Sequence, residues 1–162
     1  MLTQPQIKEL FEYKDGKLFW KVKKGRANAG DEAGTKGQCN GIAYKKIKLN
    51  QRITYIHRLV FLYHHGYLPA YVDHIDGDSL NNRIENLREA DQSKNSHNAR
   101  LKSSNTSGAK NVYWNKQRRK WMVQIKLIDR QAYFGLYDDF ELAQLVAIEA
   151  REKFCGAFAR HI

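Results

Sequence analysis

The chain has 162 residues, enough for one ordinary domain or two to three very small ones. Lys and Arg number 28 against 17 Asp and Glu, a formal charge of +11 that favours a polyanionic partner, nucleic acid being the commonest. Two cysteines, Cys39 and Cys155, in no C-x-x-C pair, exclude a disulfide scaffold and a zinc ribbon, and the longest apolar stretch, Leu59 to Tyr63, is too short to cross a bilayer, so a cytoplasmic protein is expected.

In chain order, Thr3 is a helix cap followed by Ile7, Leu10 and Phe11 at helical spacing. Asp15-Gly16 is a turn signal, Leu18 to Val22 reads as a strand, and 25–41 reads as a glycine-rich loop. Ile42 to Leu49 and Arg52 to Ile56 form a hairpin turning at Asn50-Gln51. His57 to His65 is apolar in a helical pattern that stops at Gly66 and Pro69. Tyr71-Val72 and Leu87 with its neighbours give two short strands around a polar loop, and Asp91 caps a helix by accepting first-turn amide hydrogens. Ser103 to Gly108 is polar with nothing to bury and reads as a linker. Three strands follow, roughly 111–115, 120–127 and 132–137. The last helix, 139–155, is capped by Asp139, ended by Gly156 and lined on one face by Leu142, Ala143, Val146, Ala150 and Phe154.

Charge is unevenly spread along this order. Residues 1–56 carry 12 basic and 5 acidic side chains, 57–102 carry 6 of each, and 103–162 carry 10 and 6. Two basic arms flank a neutral middle whose acids can hold a metal.

The middle contains Val72-Asp73-His74-Ile75-Asp76-Gly77-Asp78, then Asn81-Asn82-Arg83-Ile84-Glu85-Asn86-Leu87, and ends at Lys94-Asn95. Phosphodiester cleavage needs a base for the attacking water, and histidine with a pKa near 6.5 suits neutral pH. It also needs a cation for the charge that builds on phosphate, and hard ions such as Mg²⁺ or Mn²⁺ take carboxylate and amide oxygens. Asp73 and Asn95 supply such oxygens if strand and helix face each other. Adjacent strand residues point to opposite sides, so His74 can face the water while Asp73 faces the metal. Asn81 and Asn82 read as turn residues, Asp76-Gly77-Asp78 as a tight turn rather than a calcium loop, and His57, His64 and His65 as packing or surface histidines. His97 reads as a phosphate contact or nothing.

These residues closely resemble the HNH endonucleases, particularly the phage and homing-type subgroup, over about 57–98. The resemblance implies a ββα-metal core with Asp73 and Asn95 as metal ligands for Mg²⁺ or Mn²⁺, His74 as general base, and Asn86 fixing the loop that orients His74. Asp91 stands where relatives often have Thr; both cap a helix.

Between 110 and 130 the C-terminal segment places Lys110, Lys116, Arg118, Arg119, Lys120, Lys126 and Arg130 against one acid, Asp129, with Tyr113, Trp114, Trp121 and Tyr133 interleaved. On a sheet, Trp121, Val123 and Ile125 differ in face from Met122, Gln124 and Lys126. A cationic sheet face can enter the major groove. Asn111-Val112-Tyr113-Trp114, Lys120 to Lys126, Tyr133 to Tyr137 and Gly156-Ala157-Phe158 resemble the plant apetala and ethylene-response-factor DNA-binding domain. The first strand departs from that family, having Asn111, Tyr113 and Trp114 in place of Gly and several Arg. The resemblance implies DNA contacts from Tyr113, Trp114, Lys116, Arg118, Arg119, Lys120, Gln124, Lys126 and Arg130.

The expected fold class is α+β: a basic N-terminal extension (1–56), a ββα nuclease core (57–100), a linker (101–109) and a three-stranded antiparallel sheet on one helix (110–162). The expected function is a metal-dependent endonuclease that nicks double-stranded DNA as a monomer or weak dimer, without a membrane, in the cytoplasm of a bacterial host. The rival is a sequence-specific DNA-binding regulator with an inactive nuclease core.

Overall fold

The computed structural model describes residues 2–39, 41–99, 101 and 104–161. Among them are four α-helices and ten strands in four antiparallel sheets, divided between two compact units, 1–90 and 91–162.

The first unit starts with α1 (Gln4–Leu10), in which Gln6 Oε1 accepts from the Thr3 amide at 3.0 Å. The helix ends one residue before the helical pattern does. Phe11 opens β1 (Phe11–Lys14), which pairs with β2 (Lys17–Trp20) through the Asp15-Gly16 turn. Phe11 belongs to a strand because Trp20 lies directly across from it, with ring centroids 4.5 Å apart and Phe11 fully buried. That long-range contact outweighs local helical spacing. Val22 lies beyond β2 and is exposed.

β3 (Thr35–Cys39) falls within the stretch expected to be a glycine-rich loop; Asn40 of that stretch lies outside the described residues. A mostly exposed edge strand with Gly at its centre carries little hydrophobic signal, and its ladder with β4 (Ile42–Leu49) is what makes it a strand. β4 pairs in turn with β5 (Arg52–Tyr55) across Asn50 and Gln51, both at positive φ, as the hairpin pattern requires.

α2 (Ile56–His65) buries Ile56, Leu59, Val60, Phe61 and Leu62 and ends on Gly66, whose left-handed φ of 78° lets its N–H cap Leu62. Arg58 reaches from α2 to the carbonyls of Pro69 and Ala70, at 3.0 and 3.1 Å, and so fixes the approach to β6 (Tyr71–His74). β6 pairs with β7 (Leu87–Ala90). One hydrophobic core joins Ile7, Phe11, Leu18, Trp20, Ile47, Leu49, α2, Val72 and Leu87. The junction expected at 56/57 falls inside this shared core.

The second unit comprises α3 (Gln92–Asn98), β8 (Val112–Asn115), β9 (Lys120–Lys126), β10 (Gln131–Tyr137) and α4 (Phe140–Cys155). Asp91 and Asp139 cap their helices through Lys94 N at 2.8 Å and Leu142 N at 2.6 Å. The expected linker lies inside this unit, with Lys102 and Ser103 outside the described residues. Its described part is tied into a turn by Asn105 and Ser107 side chains, which hold Gly108 N and Ala109, and Ala109 is buried. Sheet order is β10-β9-β8, with Val112, Val123 and Ile125 fully buried.

The buried face of α4 differs from the expected one. Ala143, Ala147, Ala150 and Arg151 are covered, while Leu142 and Phe154 are 49% and 43% exposed. Alanines allow the helix to lie close on a sheet, so a narrow small-residue stripe replaces the larger apolar stripe. Arg151 is buried because its guanidinium donates to the Lys110 carbonyl at 2.6 Å.

Phe11→Ala removes a fully buried ring from the centre of the first core. It is expected to cost about 3–5 kcal/mol of stability, measured as a lower urea midpoint with an unchanged slope.

Candidate nuclease site

β6 ends in Asp73 and His74, both nearly buried at 5% and 7% exposure. Burial on that scale obliges every polar atom to find a partner. The β6–β7 register sets Arg88 directly opposite Asp73. Arg88 Nε donates to Asp73 Oδ2 at 2.9 Å, and one terminal guanidinium nitrogen lies 2.9 Å from the same oxygen. His74 Nε2 lies 2.9 Å from Asn82 Oδ1, and Asn82 is 3% exposed. The His57 ring meets the His74 ring edge-on, with centroids 5.0 Å apart, and stacks on Tyr55 at 5.6 Å.

The loop between β6 and β7 is organised by Asn86. Its Oδ1 accepts from Asp76 N at 3.0 Å, and its Nδ2 donates to Asp76 Oδ1 at 2.9 Å and to the Asn81 carbonyl at 2.8 Å. Its carbonyl also accepts from Ile75 N at 2.9 Å, next to His74. Asp76 receives further bonds from Asp78 N and from Asn81 Nδ2, at 2.8 and 2.7 Å. Burial raises its pKa, but the hydrogen bonds from Asn81, Asn86 and the Asp78 amide win and hold it below the usual carboxylate value. Asp76-Gly77-Asp78 is a tight turn in which Gly77 N reaches the His74 carbonyl at 2.9 Å.

Asp73, His74 and Asn86 thus come together on one hairpin. Asn95 lies on α3 in the second unit and is exposed. Among the described residues no three His, Cys, Asp or Glu side chains converge as a metal cluster. The expected donor set is of another kind, one carboxylate and one amide oxygen, which suits a hard divalent ion. A carboxylate offers about four lone-pair sites, so an arginine at Oδ2 and a metal ion are compatible on one group.

Three neighbours of this pair were not singled out by the sequence. Arg88 follows only from strand register. Asn82 looks like a turn residue, and its burial against His74 is a tertiary fact. His57 sits on α2 and is covered by elements distant in sequence, so desolvation first, then His74 and Arg58, push its pKa down to about 3. For His97 desolvation is also the main cause of a lowered pKa, and its carbonyl accepts from Lys110 Nζ at 3.1 Å.

A profile of the HNH endonuclease family matches residues 54–97, from β5 through α3. Protein 3.8 of Escherichia phage T7 is 38% identical over 90 residues, covering 56% of this chain and 74% of the phage protein. This chain belongs to the family of Protein 3.8 and carries an HNH endonuclease domain. No solved structure matches it. The matched span contains Asp73, His74, Asn86 and Asn95 and overlaps the stretch 57–98 that carries the resemblance, and the similar Protein 3.8 is a phage protein.

In the second unit, register places Tyr113, Met122 and Leu136 side by side on the sheet face away from α4, with Gln124 beside Tyr133. Lys120 and Lys126 share that face by alternation. Trp114 does not: it pairs with Trp121, on the face of Val123, and the two rings pack 4.9 Å apart. Lys116, Arg118 and Arg119 occupy the exposed β8–β9 turn and Arg130 the exposed β9–β10 turn. Lys120 pairs with Asp138 at 2.9 Å, and Gln124 Oε1 accepts from Gln131 at 3.0 Å.

His57 is held neutral in the fold and has a pKa near 6.5 when unfolded. The unfolded chain therefore binds the extra proton, and stability that is complete above pH 6.5 declines as pH falls toward 3. Urea unfolding at a series of pH values is expected to show this decline, by at most about 1.4 kcal/mol per pH unit from this residue. His57→Leu should flatten the slope over the same range.

Proposed function

We propose that this protein is a metal-dependent endonuclease that nicks double-stranded DNA. The observation that carries the reading is the adjacent Asp73 and His74 on β6, both buried and each held by a polar side chain, Arg88 and Asn82, within an HNH domain. Asp73, with Asn95 as second ligand, would hold a hard divalent ion, Mg²⁺ or Mn²⁺, which would supply positive charge to the phosphate undergoing attack.

The remaining work falls to side chains of the chain itself. His74 takes the proton of the attacking water as general base. Asn86 fixes the 76–81 loop and with it the end of β6. One constellation per chain cuts one strand per encounter, so a monomer leaves a nick. The C-terminal module grips the duplex through Tyr113, Lys120, Gln124 and Lys126 on the open sheet face and through Lys116, Arg118, Arg119 and Arg130 in the turns. Trp114 serves that module by packing on Trp121. A phage protein of this type acts in the cytoplasm of the bacterial host. No helix among the described residues is long and apolar enough to cross a membrane.

Supercoiled plasmid incubated with the protein and Mg²⁺ is expected to become open circular, and EDTA to stop the conversion. His74→Ala should slow cleavage by about 10²–10⁴-fold while leaving the gel-shift affinity for the same DNA unchanged. Absence of nicking with both Mg²⁺ and Mn²⁺, together with a salt-dependent shift at one operator, would mark the protein as a DNA-binding regulator instead.

The turn residues are tested separately. Reversing two charges, in the double variant Arg118→Glu with Arg119→Glu, should weaken binding to all sequences alike. The slope of log affinity against log salt should fall by about 2. An unchanged slope would remove these residues from the interface.

A further inference from the structure

The His74–Asn82 contact carries an inference that rests on the nuclease reading and adds a residue to it. We propose that Asn82 is a positioning residue that sets the tautomer of the catalytic imidazole. Its side-chain oxygen lies 2.9 Å from His74 Nε2. An amide oxygen only accepts, so a neutral imidazole satisfies it by carrying its proton on Nε2, and the lone pair that accepts a proton from water is then on Nδ1. The opposite tautomer would set two lone pairs against each other in a buried place, with Asn82 3% and His74 7% exposed.

The loop that carries Asn82 is itself held from several sides. Asn82 N donates to the Leu80 carbonyl at 3.1 Å. The β1–β2 turn presses on the same stretch: a Cβ placed on Gly16, at φ +79°, would lie 2.8 Å from Arg83 N and 3.0 Å from the Asn82 carbonyl carbon. Only a glycine fits there. Tyr13 of β1 accepts the Ile84 amide hydrogen at 3.1 Å, and Ser79 Oγ donates to the Ala43 carbonyl of β4. Two elements of the N-terminal 56 residues therefore clamp the loop that carries Asn82. The contribution of that region to the site is rigidity of the base, whatever its lysines contribute to binding.

The tautomer is measurable without any cleavage. In full-length protein with ¹⁵N- and ¹³C-labelled histidine, the His74 ring, identified by its loss in His74→Gln, is expected to show the Nε2-protonated form at neutral pH. The Nδ1-protonated form in the wild type would overturn the proposal outright, and this measurement requires no variant to fold. Asn82→Leu, close in size but without an acceptor, should give a mixture of tautomers and slow plasmid nicking about ten- to hundredfold, with gel-shift affinity unchanged. Asn82→Asp keeps an acceptor and should restore the Nε2-protonated form. An Asn82→Leu protein with the wild-type tautomer and wild-type rate would reduce Asn82 to packing. Should the wild type fail to nick DNA at all, the nuclease reading fails, while the ring spectra still decide the role of Asn82.

Discussion

The β6–β7 pairing sets two ionisable side chains, Asp73 and His74, next to each other on a strand and covers both. A buried carboxylate without a cation costs several kcal/mol, so its position must bring a partner with it. The ladder does this by register: Arg88 stands across from Asp73 and binds Oδ2. Across from His74 stands Leu87, which offers no polar atom, so the imidazole finds its partner in the loop, at Asn82. The two chemistries meet on one strand because one partner comes from the facing strand and the other from the connection between the strands.

That connection is not held by its own sequence alone. Asn86 closes it from within, through Asp76 and Asn81. From outside it is gripped by Tyr13, Gly16 and Ala43, all of which precede α2. The same region shares its apolar core with α2, Val72 and Leu87. An HNH motif of this length has few apolar side chains of its own, and a unit that small is marginal unless something adds to its core. The N-terminal 56 residues do so with Ile7, Phe11, Leu18, Trp20, Ile47 and Leu49. Their basic charge and their structural role are separate properties of the same segment.

The C-terminal unit solves a different problem. It must expose one sheet face while keeping the other dry. Alternation on β9 sends Trp121, Val123 and Ile125 to α4, and close packing of alanines on α4 seals that side. Lys110 and Arg151 lie within this packing. Lys110 Nζ donates to the carbonyls of His97, Ala99 and Arg160, and burial, ahead of Arg151 and Arg160, lowers its pKa to about 8. The open face is left with Tyr113, Met122, Gln124, Tyr133 and the lysines at the ends of β9.

Much of this was legible in the chain itself, because the signals are local. The hairpin at Asn50-Gln51, the caps at Asp91 and Asp139, α2 with its Gly66 stop, the alternation on β9 and the spacing of Asp73, His74, Asn86 and Asn95 all depend on residues close in sequence. What only tertiary structure decided depends on partners far apart. Phe11 became a strand residue through Trp20, and Thr35–Cys39 became a strand through β4. Leu142 and Phe154 lost the buried face of α4 to alanines, and Asn82 turned from a loop residue into the partner of the imidazole. Sequence states which side chains are available and their local period. Which of them faces another across a ladder, or is shut away from water beside it, is set by register and burial, and these exist only once the chain has folded.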